Sequence, residues 1–381
     1  MSGNVVVVEV VVVVWMGGKG SSERSLPPQL AVIAVITVAN PSTFTRLEIA
    51  VFDEFCMCAR CPPLRTLRRL RPSLTQVESP RSFPGAVTPH RHYRVDADGV
   101  GIAVNEWGNE NDPVLALVHG GADFSRTFDV FAPLLAAAGW RVVAWDHRGH
   151  GDSDHAHLYS FEADLRDAVR VLDTVAPQRP IAVVGHSKGG AIMTSLAEAQ
   201  PFRFRSFVNL DGIPYRRPGP DLPEYQRADA MNTEITAWLE HRRRTATGSR
   251  KPGTIEELAR RRAQMNPRLS KEWLEYLVTV GAREDADGWR WKLDPSMRMG
   301  GFGPWRPEFG LFRLAGLGVP FLGVLVGADE PMGWGTKPHQ VEKWMPRHGR
   351  LEFFEDIGHF IHIEQPEMVA EMALDFLGDP S

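Results

Sequence analysis

The chain has 381 residues, 43% of them apolar and 24% charged, with 11 Trp and 19 Phe. Such a composition can bury a sizeable core and excludes disorder throughout, and one α/β core of about 250 to 300 residues with added segments accounts for the length. The formal net charge of -4 supplies no long-range field toward nucleic acid or an anionic membrane, so a small-molecule substrate is the expected partner.

Residues 1–88 read as a weakly ordered N-terminal extension without a core of its own. The apolar runs VVVVEVVVVVW at 5–15 and LAVIAVITVA at 30–39 fall short of the roughly 18 to 20 residues that span a bilayer, and the first lacks the basic start of a secretory signal. All three cysteines, Cys56, Cys58 and Cys61, lie in this segment. No disulfide framework is left for the remaining chain, which points to a reducing, cytoplasmic location. Zinc takes four ligands in structural sites, and no histidine precedes His90 to complete the cysteine cluster. The arginines of RTLRRLRPSL at 65–74 read as a solvated linker.

From His90 onward, short β-branched runs alternate with longer helix-like segments, the pattern of a mostly parallel sheet covered by helices. Eight strands are expected at 91–95, 101–107, 114–119, 141–146, 180–185, 206–211, 320–327 and 350–355, with helices at 127–138, 160–175, 188–199, 338–345 and 366–377. The gap at 212–319 is too long for a connection. Its helix-like pieces at 222–245, 254–265 and 269–282, with Trp289, Trp291, Phe302 and Trp305, read as a helical cap between the sixth and seventh strands. The core then divides into residues 89–211 and 320–381 around that cap. The basic run His241 to Arg244 reads as a solvated helix end.

Within IAVVGHSKGGAIM at 181–193, Gly185-His186-Ser187-Lys188-Gly189 fits G-x-S-x-G, a sharp strand-to-helix turn that exposes a serine nucleophile. A serine hydroxyl needs a base to remove its proton and donors to hold the developing oxyanion. The Lys188 backbone N–H, one residue past the serine, is one expected donor. Gly121, in the HGG segment that ends the third strand, is the other. The base is expected on a C-terminal loop, where His359 follows Gly358, and His362 is assigned a packing or cap-facing role. For the acid that orients the histidine, Asp329, Glu330 and Asp211 all stand at strand ends.

Taken together, HGG at 119–121, DHRGHGDSD at 146–154, GHSKGG at 185–190 and GHFIHIEQPE at 358–367 resemble, in order, the motifs of the α/β-hydrolase superfamily over roughly residues 90–378. The resemblance implies an eight-stranded sheet flanked by helices, with Glu330 as the acid because it stands three residues after Gly327 and before Pro331. Most relatives look to have aspartate at that position. Asp146, Arg148 and Gly149 match the family's D-x-R-G loop and read as a structural turn, which argues against a metal at His147, His150, His155 and His157. Serine at the elbow argues against the haloalkane dehalogenase and epoxide hydrolase branches, which look to use aspartate.

The expected activity is cleavage of an ester, thioester, lactone or amide through an acyl-enzyme, with no cofactor, since no G-x-G-x-x-G or P-loop follows a strand. C–C bond hydrolysis, a lyase reaction or perhydrolysis on the same triad, and ligand binding with vestigial turnover, are the competing readings. Oligomeric state is not legible in the sequence.

Overall fold

The computed structural model describes residues 81–177, 179–213, 224–246, 248–297 and 308–380. Strands β1 (Arg91–Asp96), β2 (Gly101–Trp107) and β3 (Val114–Val118) precede α1 (Phe131–Ala137). Then follow β4 (Arg141–Trp145), α2 (Phe161–Val175), β5 (Ile181–His186), α3 (Lys188–Ala199) and β6 (Phe204–Leu210). The insert carries α4 (Glu224–Thr245), α5 (Ile255–Ala263), α6 (Lys271–Gly281) and a hairpin of β7 (Ala282–Asp285) and β8 (Gly288–Trp291). The chain closes through α7 (Glu308–Leu314), β9 (Phe321–Val326), α8 (Pro338–Val341), β10 (Arg350–Phe354), α9 (Ile361–Glu364) and α10 (Pro366–Leu377).

The main sheet has eight strands in the order β1-β2-β4-β3-β5-β6-β9-β10. The β1–β2 and β2–β4 pairs are antiparallel and all others parallel. The mostly parallel sheet and its eight expected strands are therefore present, with shifts of one or two residues at their ends. Parallel strands covered on both faces read as continuous apolar runs, and every residue of β5 and β9 is buried. On one face Val118, Val183 and Phe207 pack with Val171 and Leu172 of α2 and Ile192 and Leu196 of α3. On the other, Leu117, Val184 and Val208 pack with Phe131 and Leu135 of α1 and Val369 and Leu377 of α10.

Helix starts follow local chemistry. Ser160 caps α2 by accepting from the Ala163 N–H, with Glu162 and Asp164 in the positive first turn. Thr254 and Glu257 form a reciprocal capping box at α5, and Ser270 caps α6. The β7–β8 hairpin is new relative to the sequence reading, which saw only an aromatic stretch. Its turn passes through Gly288 at φ +119°, a conformation that glycine adopts without steric cost.

The insert packs on the ends of the sheet through one apolar cluster that joins Ile255, Leu258, Trp273, Leu277 and Trp289 to Phe124 after β3 and Phe360 after β10. The basic helix end is solvated only in part: Arg243 and Arg244 are exposed and paired with Glu240, whereas Arg242 is half-buried and donates to Ser296 Oγ at 2.7 Å. Residues 81–88 differ from expectation: Phe83 stacks edge-on against Trp273 at 4.8 Å, and the Val87 N–H donates to Asp129 O at 2.8 Å. The preceding apolar runs, the three cysteines and the 65–74 arginines lie outside the described residues, as do Phe302 and Trp305. Among the described residues no helix is long and apolar enough to cross a membrane.

Candidate active site

Ser187 sits between β5 and α3 with φ +53° and ψ −120°, a strained conformation for a residue bearing a Cβ. Its environment enforces the bend. The Ser187 N–H donates to Leu210 O on β6, and its carbonyl accepts from the Ala191 N–H, both at 3.0 Å. The turn closes only without side chains at its flanks. A Cβ on Gly185 would come 2.8 Å from Gly190 Cα, and one on Gly189 would come 2.7 Å from His119 O.

The bend presents Ser187 Oγ 2.9 Å from His359 Nε2. Nδ1 on the far side of that ring lies 2.5 Å from Asp211 Oδ2. His359 and Asp211 are 1% and 0% exposed and Ser187 is 7% exposed, so the three groups interact with little competition from water. The carboxylate accepts the Nδ1–H, which fixes the tautomer that turns the Nε2 lone pair toward the serine.

Asp211 replaces Glu330 in this role. The sequence reading preferred Glu330, but its Oε1 accepts from the His359 backbone N–H rather than from the ring. Burial pushes its carboxyl above the ordinary range. Asp329 is exposed and makes no approach to the ring. Asp211 follows β6 in a tight turn at φ +43°. Its N–H donates to Val324 O on β9 at 2.8 Å, and Asn209 Oδ1 ties the turn by accepting from the Gly212 N–H at 2.8 Å. An aspartate is short enough to reach the imidazole from that corner, whereas Glu330 approaches from the loop after β9 and meets the backbone first.

The two expected oxyanion donors come from the elements that flank the serine, α3 and the loop after β3. Lys188 is the first residue of α3, where backbone N–H groups have no intrahelical acceptor and the helix dipole favours negative charge. Its side chain turns to Asp164, 2.6 Å away. Gly121 belongs to the loop that follows β3, and that loop crosses directly over the serine: a Cβ on Gly120 would sit 3.1 Å from Ser187 Cβ. The next amide, Ala122 N–H, is already donated to His150 Nε2 at 3.2 Å.

The 146–154 loop is a structural turn. Asp146 accepts from the Ser125 N–H and hydroxyl and from the Asp152 N–H, each at 2.7 Å. Arg148 forks onto the buried Asp167 at 2.6 Å. His147 and His150 pack against His119 and bond to backbone groups, while His155 and His157 are exposed. Burial drives His147 and His150 down to about 3 and His119 well below its ordinary value. His362 is buried against Phe128 and His186, the packing role expected of it.

A serine at a strand-to-helix bend, beside a histidine held by a carboxylate on a mostly parallel sheet with flanking helices, defines the α/β-hydrolase class of fold. Residues 109–293 match the family model described as serine aminopeptidase, S33. The chain is 29% identical over 147 residues to the monoglyceride lipase of Mus musculus, covering 37% of this chain and 48% of that protein. It is 32% identical over 128 residues to the monoacylglycerol lipase of Mycolicibacterium smegmatis, covering 32% and 46%. The chain spans about half the length of these lipases. A serine hydrolase-like protein of Danio rerio is matched more fully, at 27% identity over 71% of this chain and 83% of that one. Among solved structures, the thioesterase domain from the curacin biosynthetic pathway superposes with a TM-score of 0.63 at 23% identity, over 75% of this chain and 99% of that chain. The fold and these matches are those of the α/β-hydrolase superfamily, to which the chain is similar.

Proposed function

We propose that this protein is a serine hydrolase acting on the ester of a small or medium hydrophobic acyl group. The carrying observation is the Ser187–His359–Asp211 relay, with 2.9 Å and 2.5 Å between successive polar atoms. Ser187 Oγ attacks the acyl carbon while His359 Nε2 takes its proton, and Asp211 stabilises the imidazolium. The carbonyl oxygen, becoming an oxyanion, is held by the Lys188 and Gly121 amides. Collapse expels the alcohol, which leaves with the proton returned by His359. Water, deprotonated by the same imidazole, then cleaves the acyl-enzyme.

Glu330 is a positioning residue in this mechanism, since it holds the His359 main chain while Asp211 holds the ring. The insert serves as a cap: Trp291 lies 6.3 Å from Phe124, Phe360 lies 5.3 Å from the His359 ring, and this aromatic content favours an apolar acyl chain. Ester preference is supported by the named activities of the lipases above, and a thioester is the natural second substrate class for the same chemistry.

The test is a chain-length series of p-nitrophenyl and glyceryl monoesters, assayed with the full chain and with Ser187→Ala. The account expects turnover with a preference among acyl lengths, lost in the variant. Equal turnover by Ser187→Ala overturns it, and turnover of β-diketones or cyanohydrins in place of esters moves the chemistry to C–C bond cleavage.

A further inference from the structure

Beside the elbow, with the His186 ring 4.7 Å from that of His359, lies a cluster that the mechanism does not use. Among the described residues Asp123, His186 and His362 each offer one ligand atom, and these atoms all lie within 4.8 Å of one another. All three side chains are at most 2% exposed. We propose that Asp123, His186 and His362 form a binding site for a divalent transition-metal ion, a site absent from the sequence reading.

The state of the nitrogens carries the argument. His186 Nε2–H donates to the His359 carbonyl at 2.8 Å, which leaves Nδ1 as the lone-pair nitrogen, and that atom is buried without a protein partner. Neither nitrogen of His362 has a protein partner, although the ring is held between Phe128 at 4.9 Å and His186 at 4.6 Å. Orphaned buried polar atoms are costly, and three of them on two adjoining rings call for an occupant.

Two imidazoles and one carboxylate suit a borderline ion such as Zn²⁺ or Co²⁺, whereas Ca²⁺ and Mg²⁺ prefer oxygen donors. Tetrahedral ligation at roughly 2.1 Å puts ligand atoms about 3.4 Å apart, so from separations of up to 4.8 Å the trio must close by up to about 1.4 Å through side-chain rotation. Asp123 retains lone pairs for this purpose, because its present bonds, from Thr127 Oγ1 and Arg262 Nη2, are both 3.2 Å long. The Arg262 guanidinium opposes a second cation, which makes the site reversible rather than permanently filled. His186 also supplies the second half of a ligation pattern in which the far ring N–H is fixed by a backbone carbonyl.

The test is equilibrium dialysis of the full chain against Zn²⁺, with Co²⁺ absorption as a second readout. It is run in a Cys56→Ser, Cys58→Ser, Cys61→Ser background so that the cysteine cluster cannot bind. One ion per chain and a raised Tm are expected. Affinity falls by roughly tenfold or more in His362→Phe, which keeps the aromatic packing, and in Asp123→Asn, each checked for folding by circular dichroism. Ser187→Ala must bind as well as its parent. No bound ion in the cysteine-free background, as when a buried water alone fills the cluster, overturns the proposal. So does unchanged affinity in either folded ligand variant, or loss in Ser187→Ala, which would place the ion on the relay instead. None of these readouts depends on esterase turnover, so failure here leaves the proposed function standing.

Discussion

Asp211 Oδ2 stands 2.5 Å from His359 Nδ1, while Glu330 accepts from the backbone N–H of the same histidine. Two carboxylates thus grip one residue at different atoms, and only one of them can stabilise the imidazolium. Asp211→Asn is expected to lower kcat by roughly 10⁴-fold, because an amide at Nδ1 permits the wrong tautomer. Steady-state kinetics on an ester substrate check this, with the far-UV spectrum confirming the fold.

Glu330 gives the complementary expectation. Glu330→Gln keeps an acceptor for the His359 N–H and should retain most of kcat. Glu330→Ala leaves that buried N–H unpartnered, at a cost of about 1–3 kcal/mol in stability. A thermal or urea denaturation series separates these effects, and a loss in Glu330→Gln equal to that in Asp211→Asn would contradict the division of labour.

The contrast also shows where the sequence was legible. The eight strands and the elbow followed from alternation of β-branched runs with helical segments and from glycine spacing, and His359 from the Ser, acid, His order of the α/β-hydrolases that the motifs resemble. The acid did not, because Asp211, Asp329 and Glu330 are all carboxylates at strand ends, and only the reach of each side chain from its turn distinguishes them. Asp211 had one local signal, a single carboxylate at the end of the β6 run just before Gly212. The Asp123–His186–His362 cluster was invisible for a different reason: its members come from three separate segments that meet only through the sheet. The β7–β8 hairpin was hidden because its four-residue strands are too short to show alternation.

The elbow glycines are expected to be intolerant of any side chain. Gly185→Ala places a Cβ 2.8 Å from Gly190 Cα, where only backbone can give way. The variant should lose roughly 1–3 kcal/mol of stability, and because the strain falls on the bend carrying Ser187, its activity should drop further than its stability explains. Urea denaturation alongside kinetics checks both.

Arg148 and Asp167 form a buried ion pair at 2.6 Å, their side chains 4% and 1% exposed. Arg148→Ala leaves the Asp167 charge uncompensated in the core, a loss of about 3–5 kcal/mol. Replacing both partners with apolar residues of similar volume should recover much of it, and a double-mutant cycle in urea reads the difference.

Acid sensitivity follows from the buried histidines. Burial holds His147 and His150 near 3 in the folded chain, against about 6.5 when unfolded. The unfolded chain therefore binds protons first as pH falls. Stability is fully present above about pH 6.5 and is lost progressively toward pH 3, by roughly 2 kcal/mol per histidine at pH 5. His147→Gln should flatten the decline between pH 7 and pH 5 by about that amount, measured as the difference in unfolding free energy at the two values.

The central claim is that Ser187 is an activated nucleophile. Its most direct test is labelling of the folded chain with a fluorophosphonate, the adduct being located by peptide mass spectrometry. The account predicts a stoichiometric adduct on Ser187, abolished in Ser187→Ala and strongly slowed in Asp211→Asn. A folded protein that forms no adduct, or one that labels elsewhere, would contradict it.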